Sequence, residues 1–145
     1  MKYIISLLFI SIGLLANAQV KKTLHQTFEL SDENTEVTLD IFDEFEVEEW
    51  SSNNIMIVTT VTLESGIQHV LDFYVREGRY SVEKSGEETS LNLTSKDKVR
   101  KGMKYKDSMI YEMIKMKLFI PENYELQGKN RLVKKVEETA SATDQ

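Results

Sequence analysis

Apolar and polar side chains alternate with a period of two along most of this chain, and that alternation is the strongest constraint on its fold. Between residues 36 and 49 one parity is largely apolar and the other is largely acidic. The apolar parity consists of Val37, Leu39, Ile41, Phe45 and Val47. Because successive side chains of a β-strand point to opposite faces, the segment predicts a strand with one apolar and one acidic face.

The alternation fails at one place inside this segment. Asp43 interrupts the apolar parity, and Phe42 has the wrong parity for an apolar residue. A tight turn at residues 42–44 accounts for both departures. It predicts two short strands in place of one long strand.

Other regions carry strand signals of their own. Residues 55–63 are rich in β-branched side chains. Residues 79–84 and 90–95 alternate on either side of a glycine-containing loop, which predicts a hairpin. In residues 108–121 the even positions from Ile110 to Ile120 are apolar except for Glu112, and a proline ends the run. We expect this most apolar segment to be a central strand.

The period changes once, and it predicts a single helix over about residues 66–77. The apolar residues there follow helical spacing: Ile67, Val70, Leu71, Tyr74 and Val75. Ser65 and Gln68 have the spacing of a capping box at the start of the helix. Arg76 suits the last turn, and Gly78 stands where a left-handed residue would end the helix.

These signals predict a mainly β fold: an antiparallel sheet or sandwich, or a short solenoid-like stack, with the helix packed on it. We expect one β-rich domain over residues 19–127. Residues 128–145 are polar and predict a disordered tail, in which Leu132, Val133 and Val136 could form one helical turn.

Residues 1–18 have the pattern of a secretory signal peptide. Lys2 precedes an apolar run from Ile4 to Leu15, and the small residues Ala16 and Ala18 suit a signal peptidase. A membrane-spanning helix needs about 20 apolar residues, which this run does not reach. We therefore expect a Gram-negative exported protein that begins at Gln19 and does not span a membrane. Its destination is the periplasm, the outer surface or the medium.

Composition argues against several functions. The chain has no cysteine, so disulfides, thiol catalysis and zinc–thiolate sites are excluded. Its formal net charge of −6 argues against a nucleic-acid partner. His25 and His69 have no motif spacing, and no catalytic or phosphate-binding motif is present. The sequence predicts no enzyme activity and no cofactor, with a secreted hydrolase based on paired carboxylates as a second alternative.

The acidic segment at 40–49 raises the alternative of a calcium-dependent binding protein. The candidate ligands are Asp40, Asp43, Glu44 and Glu46. Calcium takes six to eight oxygen ligands, so a turn at residues 42–44 would have to bring these carboxylates together. The competing interpretation is a solvated sheet face or a charged edge that opposes aggregation.

The segment 96–107 is rich in basic residues and predicts a solvated loop or a protruding hairpin tip. Its candidate surface-binding residues are Lys98, Arg100, Lys101 and Lys104. The methionines in and after this segment, namely Met103, Met109, Met113 and Met116, are predicted to fill the core.

The order of signals resembles a family of secreted bacterial adhesin-like proteins, the head-GIN-like or auto-transporter adhesin-like domain family. The similarity covers about residues 25–126 and the family's N-terminal part, without its long β-solenoid. The matching positions are Phe42, Trp50, Asn54, Ile55, Ile57, Arg79, Tyr80 and Pro121. Where the family often has glycine after the phenylalanine, this chain has Asp43 and Glu44. The resemblance implies a non-catalytic module that acts by surface contact with protein or cell-envelope glycan.

Overall fold

A computed structural model describes residues 19–136, which form ten strands and one α-helix. The strands up to the helix are β1 (Val20–Glu29), β2 (Glu36–Asp40), β3 (Phe45–Trp50) and β4 (Asn54–Glu64). The helix α1 (Gln68–Arg76) follows. The remaining strands are β5 (Val82–Gly86), β6 (Ser90–Ser95), β7 (Met103–Tyr105), β8 (Ser108–Pro121), β9 (Tyr124–Gln127) and β10 (Arg131–Lys134). The prediction of a mainly β protein with a single helix is confirmed.

The strands form two five-stranded sheets. Sheet I has the order β1-β4-β8-β3, and β7 pairs with the first residues of β8. Sheet II has the order β5-β6-β2-β10-β9. Neighbouring strands are antiparallel except for β2 with β6 and β3 with β8, which are parallel. Both sheets are therefore mixed. The strand predicted to be central, β8, does have neighbours on both of its sides.

The break predicted at residues 42–44 is present, and it moves the chain from one sheet to the other. β2 ends at Asp40 and belongs to sheet II, whereas β3 begins at Phe45 and belongs to sheet I. Ser95 stabilises the crossing because its hydroxyl accepts a hydrogen bond from the backbone N–H of Phe42 at 2.9 Å. The two halves of the acidic segment therefore lie in different sheets.

The inner face of sheet I is covered in two parts. Over one part, sheet II packs its apolar side chains, among them Val37, Leu93 and Leu132, against Ile57 and Leu118. Over the other part, α1 and the chain that follows it form a second cluster. Its fully or largely buried members are Val61, Leu63, Val70, Leu71, Tyr80, Met103 and Ile110. The single apolar stripe of the helix and the single apolar face of the sheet thus remove each other from water.

The helix begins differently from the prediction and ends as predicted. Ile67 is its N-cap and no side chain caps it, so the expected capping box from Ser65 to Gln68 is wrong. Ser65 instead has a φ of 57°, which places it in a turn. At the other end Gly78 has a φ of 81°, and its N–H donates to the carbonyl of Val75. These features match a glycine-terminated helix.

The C-terminal segment is not a polar tail throughout. Residues 131–134 form β10, which lies between β2 and β9 in sheet II. Leu132 is fully buried, so the expected helical turn is wrong and the domain extends beyond residue 127. The rest of the predicted tail from residue 137 onward, and the predicted signal peptide at 1–18, lie outside the described residues.

Candidate functional site

The two outer faces of the sandwich differ in character. Sheet II presents short polar and charged side chains such as Thr38, Asn92 and Thr94 from its inner strands. On sheet I the outward positions of β8 include Met109, Tyr111 and Met113, which are 44, 67 and 46% exposed. A face that only meets water would carry polar side chains at these positions. The exposed apolar side chains therefore make sheet I the better candidate for a binding surface.

A groove of about 790 Å³ runs across this outer face of sheet I. Met56, Val58 and Phe119 contribute apolar lining, His25 lines it from edge strand β1, and Glu46 lines it from edge strand β3. A volume of this size lies within the range of small-molecule sites, roughly 300–1,000 Å³. We call this feature the outer groove.

Contacts between β3, β4 and β8 fix one end of the outer groove. Lys117 donates to the carboxylate of Glu48 at 2.6 Å, and this hydrogen bond raises the pKa of Lys117. The rings of Trp50 and Phe119 pack at 5.8 Å between centroids, and the Trp50 indole donates to the carbonyl of Asn54. Trp50 therefore lies on the outer face of the sheet, beside Phe119.

The structure does not bring the four predicted calcium ligands together. Asp40, on β2, forms an ion pair with Lys98. Asp43 forms a bidentate pair with Arg100, while Glu44 and Glu46 line the outer groove. No group of three or more histidine, aspartate or glutamate side chains between residues 19 and 136 is placed to hold a metal ion.

The predicted surface-binding residues also separate into two groups. Arg100 was expected on a solvated loop, but its side chain is only 6% exposed, so that expectation is wrong. Lys98 pairs with Asp40. Lys101 and Lys104 are exposed, and neither forms an ion pair with another described residue. Arg100 is therefore not part of an exposed binding surface. The sequence did not reveal its burial, because its partner Asp43 lies in a distant segment of the chain.

A buried polar network centred on Glu112 explains the one acidic residue in the apolar parity of β8. The Arg79 side chain, 6% exposed, donates to both carboxylate oxygens of Glu112 and to the carbonyl of Lys101. The Tyr80 hydroxyl donates to Glu112 at 2.8 Å. Burial, followed by this hydrogen bond, raises the pKa of Tyr80. The sequence signal was present as a polar interruption, but it did not identify the partner.

The core prediction for the methionines holds for only half of them. Met103 and Met116 are 1 and 5% exposed and belong to the two apolar clusters. Met109 and Met113 lie on the outer face of β8, so the prediction is wrong for them. On β8 the strand parity separates them, because Met116 shares the even, inward positions with Ile110, whereas Met109 and Met113 occupy odd, outward positions.

The two histidines lie on opposite sides of sheet I. His25 lines the outer groove, while His69 belongs to the helix over the inner face and packs edge-on against Tyr105 at 5.6 Å. They therefore do not form a shared site.

Between residues 19 and 136 no helix has the length and apolar character needed to cross a membrane. No protein-family model, curated protein or solved structure matches the chain, so its resemblance to the adhesin-like family stays a sequence-based prediction.

Proposed function

We propose that this protein is an exported, non-catalytic β-rich module, adhesin-like in its mode of action, that works by surface contact with protein or cell-envelope glycan. The observation that carries the proposal is the outer face of sheet I, which residues 19–136 leave exposed. It combines an apolar groove with charged rims and with exposed side chains on β8. A concave apolar surface with a few polar groups is the usual form of a binding site.

The arrangement of carboxylates supports binding over hydrolysis. A glycosidase needs two carboxyl groups of unequal environment that flank one substrate bond. The most buried carboxylates of this kind here, Asp43 and Glu112, each have both oxygens occupied by an arginine. Neither lines the outer groove, which is where a substrate would lie.

The calcium-dependent alternative receives less support from the geometry. Asp40 and Asp43 have cationic partners, and the parallel pairing of β3 with β8 places Lys117 beside Glu46 and Glu48. Asp40 and Asp43 therefore already have counter-charges, and Lys117 offsets one of the two glutamates beside it. Charges on the edge strand β3 would also discourage sheet-to-sheet aggregation.

The proposal is tested by the binding of purified protein to immobilised cell-envelope proteins and to an array of envelope glycans. The outer-face variant is Thr60→Lys, at a position that lines the groove. Its matched control is Thr38→Lys on the outer face of sheet II, because both residues are partly exposed and lie in strands. We expect Thr60→Lys alone to weaken binding. Equal binding by both variants, or no ligand for the unmodified protein, would contradict the proposal.

A further inference from the structure

One edge of sheet I is interrupted in the middle of its longest strand. On one side β8 pairs continuously with β4 from Tyr111 to Phe119. On the opposite side β3 pairs with residues 116–121, and β7 pairs with residues 108–110, before the first residue of β8 that β4 covers. Among the described residues no strand pairs with 111–115 on that second side. We call this interval the β8 gap.

The β8 gap leaves backbone groups unused. Successive residues of a strand direct their N–H and C=O groups to alternate sides, so two or three residues of the gap face away from β4. No backbone hydrogen bond within residues 19–136 joins 111–115 to the loop before β7 or to the turn before β3. Such unpaired edge groups form a template for another strand.

Exposed apolar side chains concentrate around the β8 gap. Between residues 19 and 136 eight large hydrophobic residues are exposed, and five of them belong to segments that border or form the gap. These are Phe42 in the turn before β3, Val99 in the loop before β7, and Met109, Tyr111 and Met113 on β8. An apolar surface next to free backbone groups is the combination that strand-addition sites use.

The segments that border the gap are held in place by buried ion pairs. Arg100, in the loop before β7, binds Asp43 in the turn before β3 through two 2.6 Å hydrogen bonds. Arg79 binds Glu112, which lies in the gap, and it also donates to the backbone carbonyl of Lys101. Since these contacts fix both borders on the inner side, the gap is preformed and costs little to organise on binding.

The charges near the gap indicate the chemistry of its occupant. Lys101 precedes β7, Lys104 lies within β7, and Lys115 ends the gap itself. All three are exposed, and none forms an ion pair with a described residue. Glu44, in the turn before β3, lies at the other end of the gap, but the three lysines outnumber it. Complementary charge therefore favours acidic side chains on the incoming segment.

From these features we infer that the β8 gap binds an extended, acidic polypeptide segment of a partner protein, which pairs with residues 111–115 as an added strand. Its apolar side chains pack on Tyr111 and Met113, and its acidic side chains face Lys101, Lys104 and Lys115. The inference rests on the proposed binding function and narrows its ligand from protein or glycan to an extended peptide.

The test uses linear peptides of about eight residues, of which about five pair with the gap and the others leave the sheet at its two ends. Peptides are selected from a random library against the purified protein, and the best binder is synthesised with single N-methyl groups along its backbone. We expect acidic peptides with alternating apolar residues. N-methylation should weaken binding about tenfold at every second position, because only those amides donate to β8. Backbone amide NMR shifts should move at residues 111–115.

Two variants distinguish peptide binding at the gap from binding elsewhere on the outer face of sheet I. Met113→Asp should abolish peptide binding, while the matched change Thr23→Asp, on the exposed outer face of β1, should leave it unaltered. Circular dichroism checks that both variants are folded. A binder without the period-two N-methyl pattern, or one that shifts the outer groove and not residues 111–113, overturns this inference while the binding function stands. Absence of any peptide or glycan ligand overturns both.

Discussion

Arg100 and Asp43 form a bidentate ion pair although 57 residues separate them in the chain. Both side chains are largely buried, at 6 and 11% exposure. The ring centroids of Phe42 and Tyr80 lie 5.1 and 5.2 Å from the guanidinium carbon, and the Nε atom of Arg100 has no hydrogen-bond partner among residues 19–136. The pair therefore joins the turn before β3 to the loop before β7 in a poorly hydrated setting.

Removing the charge of Asp43 alone should be strongly destabilising. Asp43→Asn keeps the shape of the side chain but leaves Arg100 buried without a counter-charge, and such losses typically cost about 3–5 kcal/mol. We expect a loss of at least about 3 kcal/mol in the free energy of unfolding, measured by urea denaturation. The double variant Asp43→Leu, Arg100→Met should recover most of it. A loss below about 1 kcal/mol for Asp43→Asn would show that solvent reaches the pair.

The raised pKa of Tyr80 predicts a loss of stability at alkaline pH. Burial and the hydrogen bond to Glu112 favour the neutral phenol in the folded state. This contribution is complete below the unfolded pKa of about 10 and is lost as the pH rises through the folded value. Tyr80→Phe removes it. The stability difference between the unmodified protein and this variant should therefore shrink above about pH 10, measured by denaturation across the pH range.

The control for the alkaline effect is Tyr111→Phe. Tyr111 is 67% exposed and forms no hydrogen bond with another described residue. In Tyr111→Phe the free energy of unfolding should therefore fall with alkaline pH as steeply as in the unmodified protein. If the free energy of unfolding of Tyr80→Phe falls with pH as steeply as that of Tyr111→Phe, burial of the Tyr80 hydroxyl contributes nothing to the pH dependence of stability.

Local patterns in the sequence account for much of the fold. Period-two alternation located β2, β3 and β8, and the helical stripe located α1, because these patterns reflect which face of each element is buried. β4 was located by its β-branched side chains. The break at residues 42–44 was also visible in the sequence, because two residues there depart from the apolar–polar alternation. What alternation cannot supply is the partner of each strand. The parallel pairing of β2 with β6 and of β3 with β8 depends on contacts between distant segments.

The candidate site was much less accessible to sequence reasoning. Lysine and arginine look alike in a basic segment, yet Arg100 is buried by Asp43 while Lys101 and Lys104 stay exposed. The β8 gap is likewise invisible in the sequence, since it results from where two short strands end on a third. β10 was missed because four residues with one buried leucine give too weak a period to stand out.

Leu132 provides a direct test that the chain after residue 127 belongs to the fold. Its side chain is fully buried in the cluster between the sheets. Leu132→Ala should lower the free energy of unfolding by about 3 kcal/mol, because it removes buried apolar surface and leaves a cavity. Val136→Ala is the control, since Val136 is 90% exposed and its change should have an effect below about 0.5 kcal/mol. Equal, small effects for both would place β10 outside the stable core.

Two glycines with positive φ angles allow backbone strain to be separated from steric conflict. Gly128 has a φ of 65°, and a Cβ atom there would meet nothing within 4 Å. Gly86 has a φ of 121°, and a Cβ atom would lie 2.3 Å from the carbonyl oxygen of Ser90 across the β5–β6 hairpin. Gly128→Ala should therefore cost only the left-handed penalty of about 1 kcal/mol. Gly86→Ala should cost at least about 2 kcal/mol, because the hairpin backbone must move.

Urea denaturation of both glycine variants measures this difference, and hydrogen exchange locates it. In Gly86→Ala we expect faster exchange of the amides of β5 and β6, since their pairing depends on the turn at residues 87–89. In Gly128→Ala exchange in that hairpin should be unchanged. A Gly86→Ala protein as stable as Gly128→Ala would mean that the hairpin adopts another turn, and with it that β5 is not fixed at the edge of sheet II.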